Sequence, residues 1–336
     1  MRPRVSRPLL AAVLASLAGA PAACAQDPGP VERSPAGPAQ VAPAPPETFA
    51  YDRAAPLDVL EGPSRTVEGV VVRPVSFASP RGGRATGMLF VPEGRGPFAG
   101  LLLQHGMPGS AAVMGRHGVY LAKHGAVVLA LDAPITRRGG PLLLFTEADS
   151  ADQVQLIVDL QRGVDLLLAR RDVAPARLAY VGKSYGGAMG ALFAGVERRL
   201  QSYVLMVGDG GLVAHLTGPD DRPGPLEAMP PARRDRWLAA MRPIEPSLFV
   251  GRAPPASILF QSARRDELVP VADAEALHRS AGDPKTVRWY DTGHDLNARA
   301  FVDQLDWLHR AVGTTPPGPA DLVWPDGPLS LTSRAP

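Results

Sequence analysis

A mostly parallel, doubly wound α/β sheet is the fold class predicted by this 336-residue chain, and three observations predict it. Short apolar runs alternate with amphipathic helical patterns, which is the order that builds parallel strands joined by crossover helices. Several of those runs are apolar at consecutive positions, as strands covered on both faces must be. Hydrophobic residues make up 45% and charged residues 20% of the chain, enough apolar material for a sizeable core.

The elements follow in chain order. Arg2, Arg4 and Arg7 precede the apolar run 9–17 and the small residues Ala23, Cys24 and Ala25, the order of a secretory signal peptide cleaved after Ala25. That run is shorter than the roughly 20 residues a permanent span requires, so the expected mature protein is secreted or periplasmic, with no stable membrane span. Cys24 after small residues leaves a lipoprotein anchor as the alternative, and Pro21 stands where such signals place a large aliphatic residue. Residues 26–50 read as a Pro/Ala-rich linker, extended from Gln26 to Glu47, because so few large apolar side chains cannot offset the entropy of ordering. The body then spans 51–313.

Val67 to Val75 and Ala85 to Val91 read as a hairpin turning at Arg81-Gly82-Gly83, which would add an antiparallel edge. Phe98 to Leu103, Ala126 to Leu131, Leu178 to Val181, Tyr203 to Val207, Ser257 to Phe260 and Thr286 to Tyr290 read as the remaining strands. Val154, Ile157, Val158, Leu160, Val164, Leu167 and Leu168 recur at helical spacing between acids at one end and arginines at the other. Phe301, Leu305, Leu308 and Val312 form a second such stripe. Residues 208–251 exceed one crossover and read as a lid-like insert with a helix near Arg233 to Met241. The tail 314–336 is rich in proline, with Leu322, Val323 and Trp324 as its docking residues.

Charge and cysteine content exclude several classes. Removal of residues 1–25, which hold three arginines and no acid, takes the formal charge from +2 to −1, so no nucleic-acid partner is expected. Cys24 is the only cysteine, and no disulfide can form. No His, Cys or carboxylate cluster has ligand spacing, so neither a metal nor another cofactor is expected.

Chemistry concentrates at Gly182-Lys183-Ser184-Tyr185-Gly186-Gly187. A lone G-x-S-x-G is a weak signal, but here it follows a strand and opens a helix, the setting of a nucleophile elbow. A serine hydroxyl needs a neighbouring base, itself held by an acid. Four histidines follow Ser184. His278 and His309 lie in amphipathic helices, where a polar surface role is expected, and His215 lies in the insert. His294 follows the last strand, at the carboxyl edge where open α/β sheets bind ligands, and is the expected base. Asp266, in the loop after Ser257 to Phe260, is the expected acid. Glu267 and Asp209 remain as alternatives, while Asp291 and Asp295 lie too close to His294 in sequence to orient its ring easily. The N–H groups of Tyr185 and Met107 are the expected oxyanion donors, and His105 is expected to shape its loop.

His105-Gly106, the Ser184 motif, Asp266 with Val269-Pro270, and Gly293-His294 together resemble the α/β-hydrolase superfamily, in particular its dienelactone hydrolase-like and prolyl-oligopeptidase-like catalytic domains. The resemblance covers about residues 67–312. It implies an eight-stranded sheet, Asp266 over its neighbours through the Asp-x-x-Val-Pro segment, and hydrolysis of a small-molecule carboxylic ester through an acyl-enzyme. Ser184 stands where dienelactone hydrolases carry cysteine, which argues against a strict member of that group. An exported peptidase or acyltransferase would share this chemistry, and a catalytically silent binding module would share the fold. Oligomeric state is not legible.

Overall fold

The computed structural model describes residues 41–217, 225–323, 325 and 327–329. The expected signal peptide, Cys24, most of the linker and Trp324 lie outside the described residues.

A mixed sheet of ten strands organises the chain. Its first part is antiparallel: β1 (Leu60–Glu61), β2 (Arg65–Val67), β3 (Val70–Ala78) and β4 (Arg84–Val91). The expected strand across residues 67–75 is therefore two strands. Glu68 at φ 49° and Gly69 at φ 82° form a two-residue turn, whose positive dihedrals match the twist of a tight hairpin. The turn expected at Gly82-Gly83 is present, with φ 101° and 71°.

Parallel pairing then runs through β5 (Phe98–Gln104), β6 (Ala126–Leu131), β7 (Val173–Lys183), β8 (Ser202–Met206), β9 (Ser257–Ala263) and β10 (Lys285–Tyr290). The spatial order is β1-β3-β4-β6-β5-β7-β8-β9-β10, with β2 beside β3. Strands β3 to β10 are the expected eight, and β1 and β2 are short additions at the antiparallel edge. Every residue of β6 and β8 is buried, which explains their unbroken apolar sequences.

Helices cover both faces. On one, α3 (Glu147–Ala169) and α4 (Tyr185–Val196) close a core that includes Leu102, Leu156, Tyr180 and Met189. On the other, α1 (Gly115–Lys123) and α8 (Ala298–Val312) close a core that includes Leu103, Val181, Phe301 and Leu305. Three further helices lie outside the strands: α2 (Pro134–Arg138), α5 (Leu212–Thr217) and α7 (Val271–Ser280). The insert's helix α6 (Pro231–Met241) buries Trp237 and Met241 completely in the first core. The insert is thus rooted in the body at that helix.

The ends correct two expectations. The linker gives way to the body before Ala50: the Ala44 N–H donates to Pro243 O at 2.6 Å and Phe49 packs edge-on against Phe249, ring centroids 5.6 Å apart. In the tail, Leu322 and Val323 are exposed, and Leu329 instead sits against Gly115, its N–H directed at Ala112 O.

Candidate active site

Ser184 lies between the end of β7 and the first residue of α4, at φ 57° and ψ −118°. A non-glycine residue in this region is strained, and it persists only where the surroundings determine it. Here they do. The Ser184 N–H donates to Met206 O at 2.8 Å, and the buried Tyr180 hydroxyl donates to Gly186 O at 2.6 Å. A Cβ at 182 would collide with the carbonyl of Gly186, and one at 186 with the carbonyl of Gln104, so glycine at both positions lets helix, elbow and β5 come together.

The loop after β5 backs directly onto this serine. A Cβ on Gly106 would stand 2.9 Å from Ser184 Cβ and 3.5 Å from its Oγ. His105 fixes the loop: Nδ1–H donates to Gly106 O at 2.8 Å, and Nε2 accepts the Ala133 N–H at 3.0 Å. Burial pushes its pKa down, consistent with a neutral ring of defined tautomer. His105 therefore has the structural role expected. Met107 follows on the same loop and is half-buried against the α4-side core. Tyr185, the other expected donor, opens α4, where first-turn N–H groups lack intrahelical partners.

His294 and Asp266 meet across the loops after β10 and β9. The ring Nδ1–H is 2.9 Å from each oxygen of Asp266, and Oδ1 also accepts the Leu268 and Val269 N–H groups at 2.9 Å. The Asp266 side chain is 2% exposed and that of His294 10%. A carboxylate so held fixes the ring's orientation and leaves Nε2 for other work. Glu267 does not hold the ring. Its Oε2 accepts the backbone N–H of His294 at 3.4 Å.

The other acids are committed elsewhere. Asp295 pairs with Lys183 at 2.9 Å and Asp291 with Arg265 at 3.0 Å. Asp209 pairs with a different histidine: its Oδ2 accepts from His215 Nδ1 at 2.7 Å. Of the two histidines expected on polar helix faces, His278 departs from that role and the half-buried His309 does not. His278 is buried between Phe260 and Trp289, with Nε2 3.1 Å from Ser262 Oγ, and burial pushes its pKa down to about 4. His309 directs Nδ1 to the carbonyl of Thr314, just past the end of its helix, at 2.5 Å. Among the described residues no group of three or more His, Cys, Asp or Glu is placed to hold a metal ion, and no helix is long and apolar enough to cross a membrane.

This strand order, with the elbow after a central strand and an Asp–His pair on the following loops, is the α/β-hydrolase fold, and solved structures share it. The chain superposes on an acetyl xylan esterase from Paenibacillus sp. R4 with a TM-score of 0.64 at 19% identity, over 79% of this chain and 92% of that one. Acetyl xylan esterase 1 from Thermoanaerobacterium sp. JW/SL YS485 gives 0.58 at 16% identity, over 74% and 86%. An alpha/beta hydrolase from Penicillium sp. sh18 gives 0.56 at 16% identity, over 72% and 99%. No protein-family model and no curated protein matches the chain.

Proposed function

We propose that this protein is an exported serine hydrolase that cleaves a carboxylic ester through an acyl-enzyme on Ser184. The observation that carries the reading is the His294–Asp266 pair, bonded at 2.9 Å on the sheet edge that also carries the strained elbow of Ser184. His294 Nε2 takes the Ser184 proton as Oγ attacks the acyl carbon. The N–H groups of Tyr185 and Met107 receive the developing oxyanion, and His294 then returns the proton to the leaving alcohol. Water repeats the sequence and releases the acid. Asp266 keeps Nδ1–H in place and stabilises the imidazolium. Acetyl xylan esterases among the similar structures make an acetate ester the first substrate to try. Export rests on the basic, apolar and small-residue order of residues 1–25.

Purified protein should react with a fluorophosphonate at Ser184 and hydrolyse p-nitrophenyl acetate, and Ser184→Ala should lose both with its circular dichroism retained. Labelling of the wild type at another serine, or turnover surviving in Ser184→Ala, would refute the assignment.

A further inference from the structure

The carboxyl edge carries a second Asp–His pair that the proposed reaction does not use. Asp209 is three residues beyond β8, and the intervening Gly208 lies against α4: a Cβ there would meet the Ala188 nitrogen at 2.7 Å. The pair thus stands beside the elbow. Asp209 Oδ2 is 2.7 Å from His215 Nδ1, and its Oδ1 accepts the Gly211 N–H at 3.1 Å. His215 is on α5, whose start is held from the far side of the insert by Glu245, which accepts the N–H groups of Val213 at 3.0 Å and Ala214 at 3.1 Å. The histidine side chain is 32% exposed and its aspartate 8%. Nδ1 faces the protein, and Nε2 has no hydrogen-bond partner among the described residues.

The surroundings select what Nε2 meets. The bond to Asp209 pushes the His215 pKa up against the effect of burial, with further help from the charges of Asp209, Asp273 and Asp266. The carboxylates of Asp209, Asp273 and Asp266 all act on this one ring, so an uncharged ligand is favoured there over an anion. A hydroxyl suits both forms of the ring: it donates to Nε2 of the neutral imidazole and accepts from Nε2–H of the imidazolium. An acetyl group carries no hydroxyl, so in an acetate ester the hydroxyl that Nε2 meets belongs to the alcohol.

We propose that the Asp209–His215 pair is a specificity-determining element that hydrogen-bonds a hydroxyl of the leaving alcohol, giving preference to neutral, polyhydroxylated alcohols. This rests on the reading of Ser184, His294 and Asp266 given above. Asp209 fixes the ring and Nε2 meets the substrate.

The test holds the acyl group constant and changes the alcohol, comparing glycerol 1-acetate with ethyl acetate by pH-stat. In His215→Leu, kcat/KM for glycerol 1-acetate should fall about 3- to 10-fold further than for ethyl acetate, mostly through KM, as the loss of one neutral hydrogen bond predicts. His215→Gln, which keeps a polar amide, should recover part of the difference. His215→Ala carries the same comparison if the leucine variant does not fold. Equal losses on both esters, or an unchanged ratio in folded variants, would overturn the proposal while Ser184 labelling still stood. A wild type that neither reacts with the fluorophosphonate nor turns over either ester would overturn the hydrolase reading and this one together.

Discussion

Two Asp–His pairs stand on the same edge of one sheet, and they differ in how much of the fold holds them. Asp266 is 2% exposed, meets its histidine with both oxygens, and receives two further backbone N–H groups from its own loop. Asp209 meets His215 with one oxygen and receives one N–H, and its histidine is three times as exposed as His294, 32% against 10%. The first pair lies on loops that close consecutive strands. The second spans from a strand end to a six-residue helix of the insert. The proposed roles ask different things of identical groups: proton transfer calls for a ring that does not turn, which a buried and fully bonded carboxylate supplies, while recognition of an alcohol calls for a ring left partly exposed.

The largest expected effect would break this comparison outright. Asp266→Asn keeps the shape but favours the wrong tautomer, a change that in a serine protease costs on the order of 10⁴ in turnover. We expect a loss of that order in kcat with folding preserved, while Asp209→Asn loses about 10-fold or less, the scale of a single hydrogen bond. Stopped-flow hydrolysis of p-nitrophenyl acetate by both variants measures it. Should the ranking invert, the acid belongs after β8 and His215 is the base.

The next effect is on the insert that carries the weaker pair. Trp237 is wholly buried, its ring centroid 5.6 Å from that of Phe145, and its indole N–H donates to Asp149 Oδ2 at 2.8 Å. Removing residues 219–243 would therefore excise core and not merely a cover. Trp237→Ala should lower the unfolding free energy by about 3–5 kcal/mol, the usual cost of emptying a buried aromatic site. Urea unfolding followed by circular dichroism reads this directly, and a loss under about 1 kcal/mol would mean the insert is only loosely attached.

What was legible in the sequence was local. Ala126 to Leu131 is a strand with the expected bounds because its six side chains are all buried. The elbow was readable because strand, turn and helix adjoin in sequence, and Asp266 because a loop after a buried strand has only one place to open. What escaped depends on distant partners. Helix α1 has two glycines, which weaken its local propensity, yet His117 on it donates to Gln304 Oε1 at 2.6 Å, 187 residues away. Phe49 lay in a segment whose composition predicted an extended linker, but Phe249 supplies the surface that fixes it. His278 on a helix with a polar face looked exposed until β9 placed Ser262 and Phe260 against it. The Asp209–His215 bond is hidden for another reason: nothing in six residues of spacing marks a pair.

The smallest expected effect sharpens the comparison by touching only the support of His215. Glu245 is buried, and burial pushes its pKa up to about 8, with the Asp209 charge adding to the rise and the N–H groups of Val213 and Ala214 opposing it. In the unfolded chain the same carboxyl has an ordinary glutamate pKa, near 4.3. A carboxyl whose pKa rises on folding keeps a proton that the unfolded chain has already released. Its contribution is complete below about pH 4 and is lost as pH rises towards 8. Between pH 6.5 and 8 the Glu245 contribution should therefore decline with a slope of at most about 1.4 kcal/mol per pH unit, the limit for one proton. Histidines also change here, since burial pushes His117 and His278 down to about 4 and the bond to Asp209 pushes His215 up, so the difference between the wild type and a Glu245 variant isolates this carboxyl. Glu245→Gln removes the titration while keeping an oxygen to accept one of the two helix N–H groups. Relative to Glu245→Gln, the wild type should lose stability more steeply across this range, by up to that slope. Equal slopes in urea titrations of the two proteins at pH 6.5, 7.2 and 8 would show that Glu245 is ionised throughout, and that α5 is held by a charge and not by a shared proton.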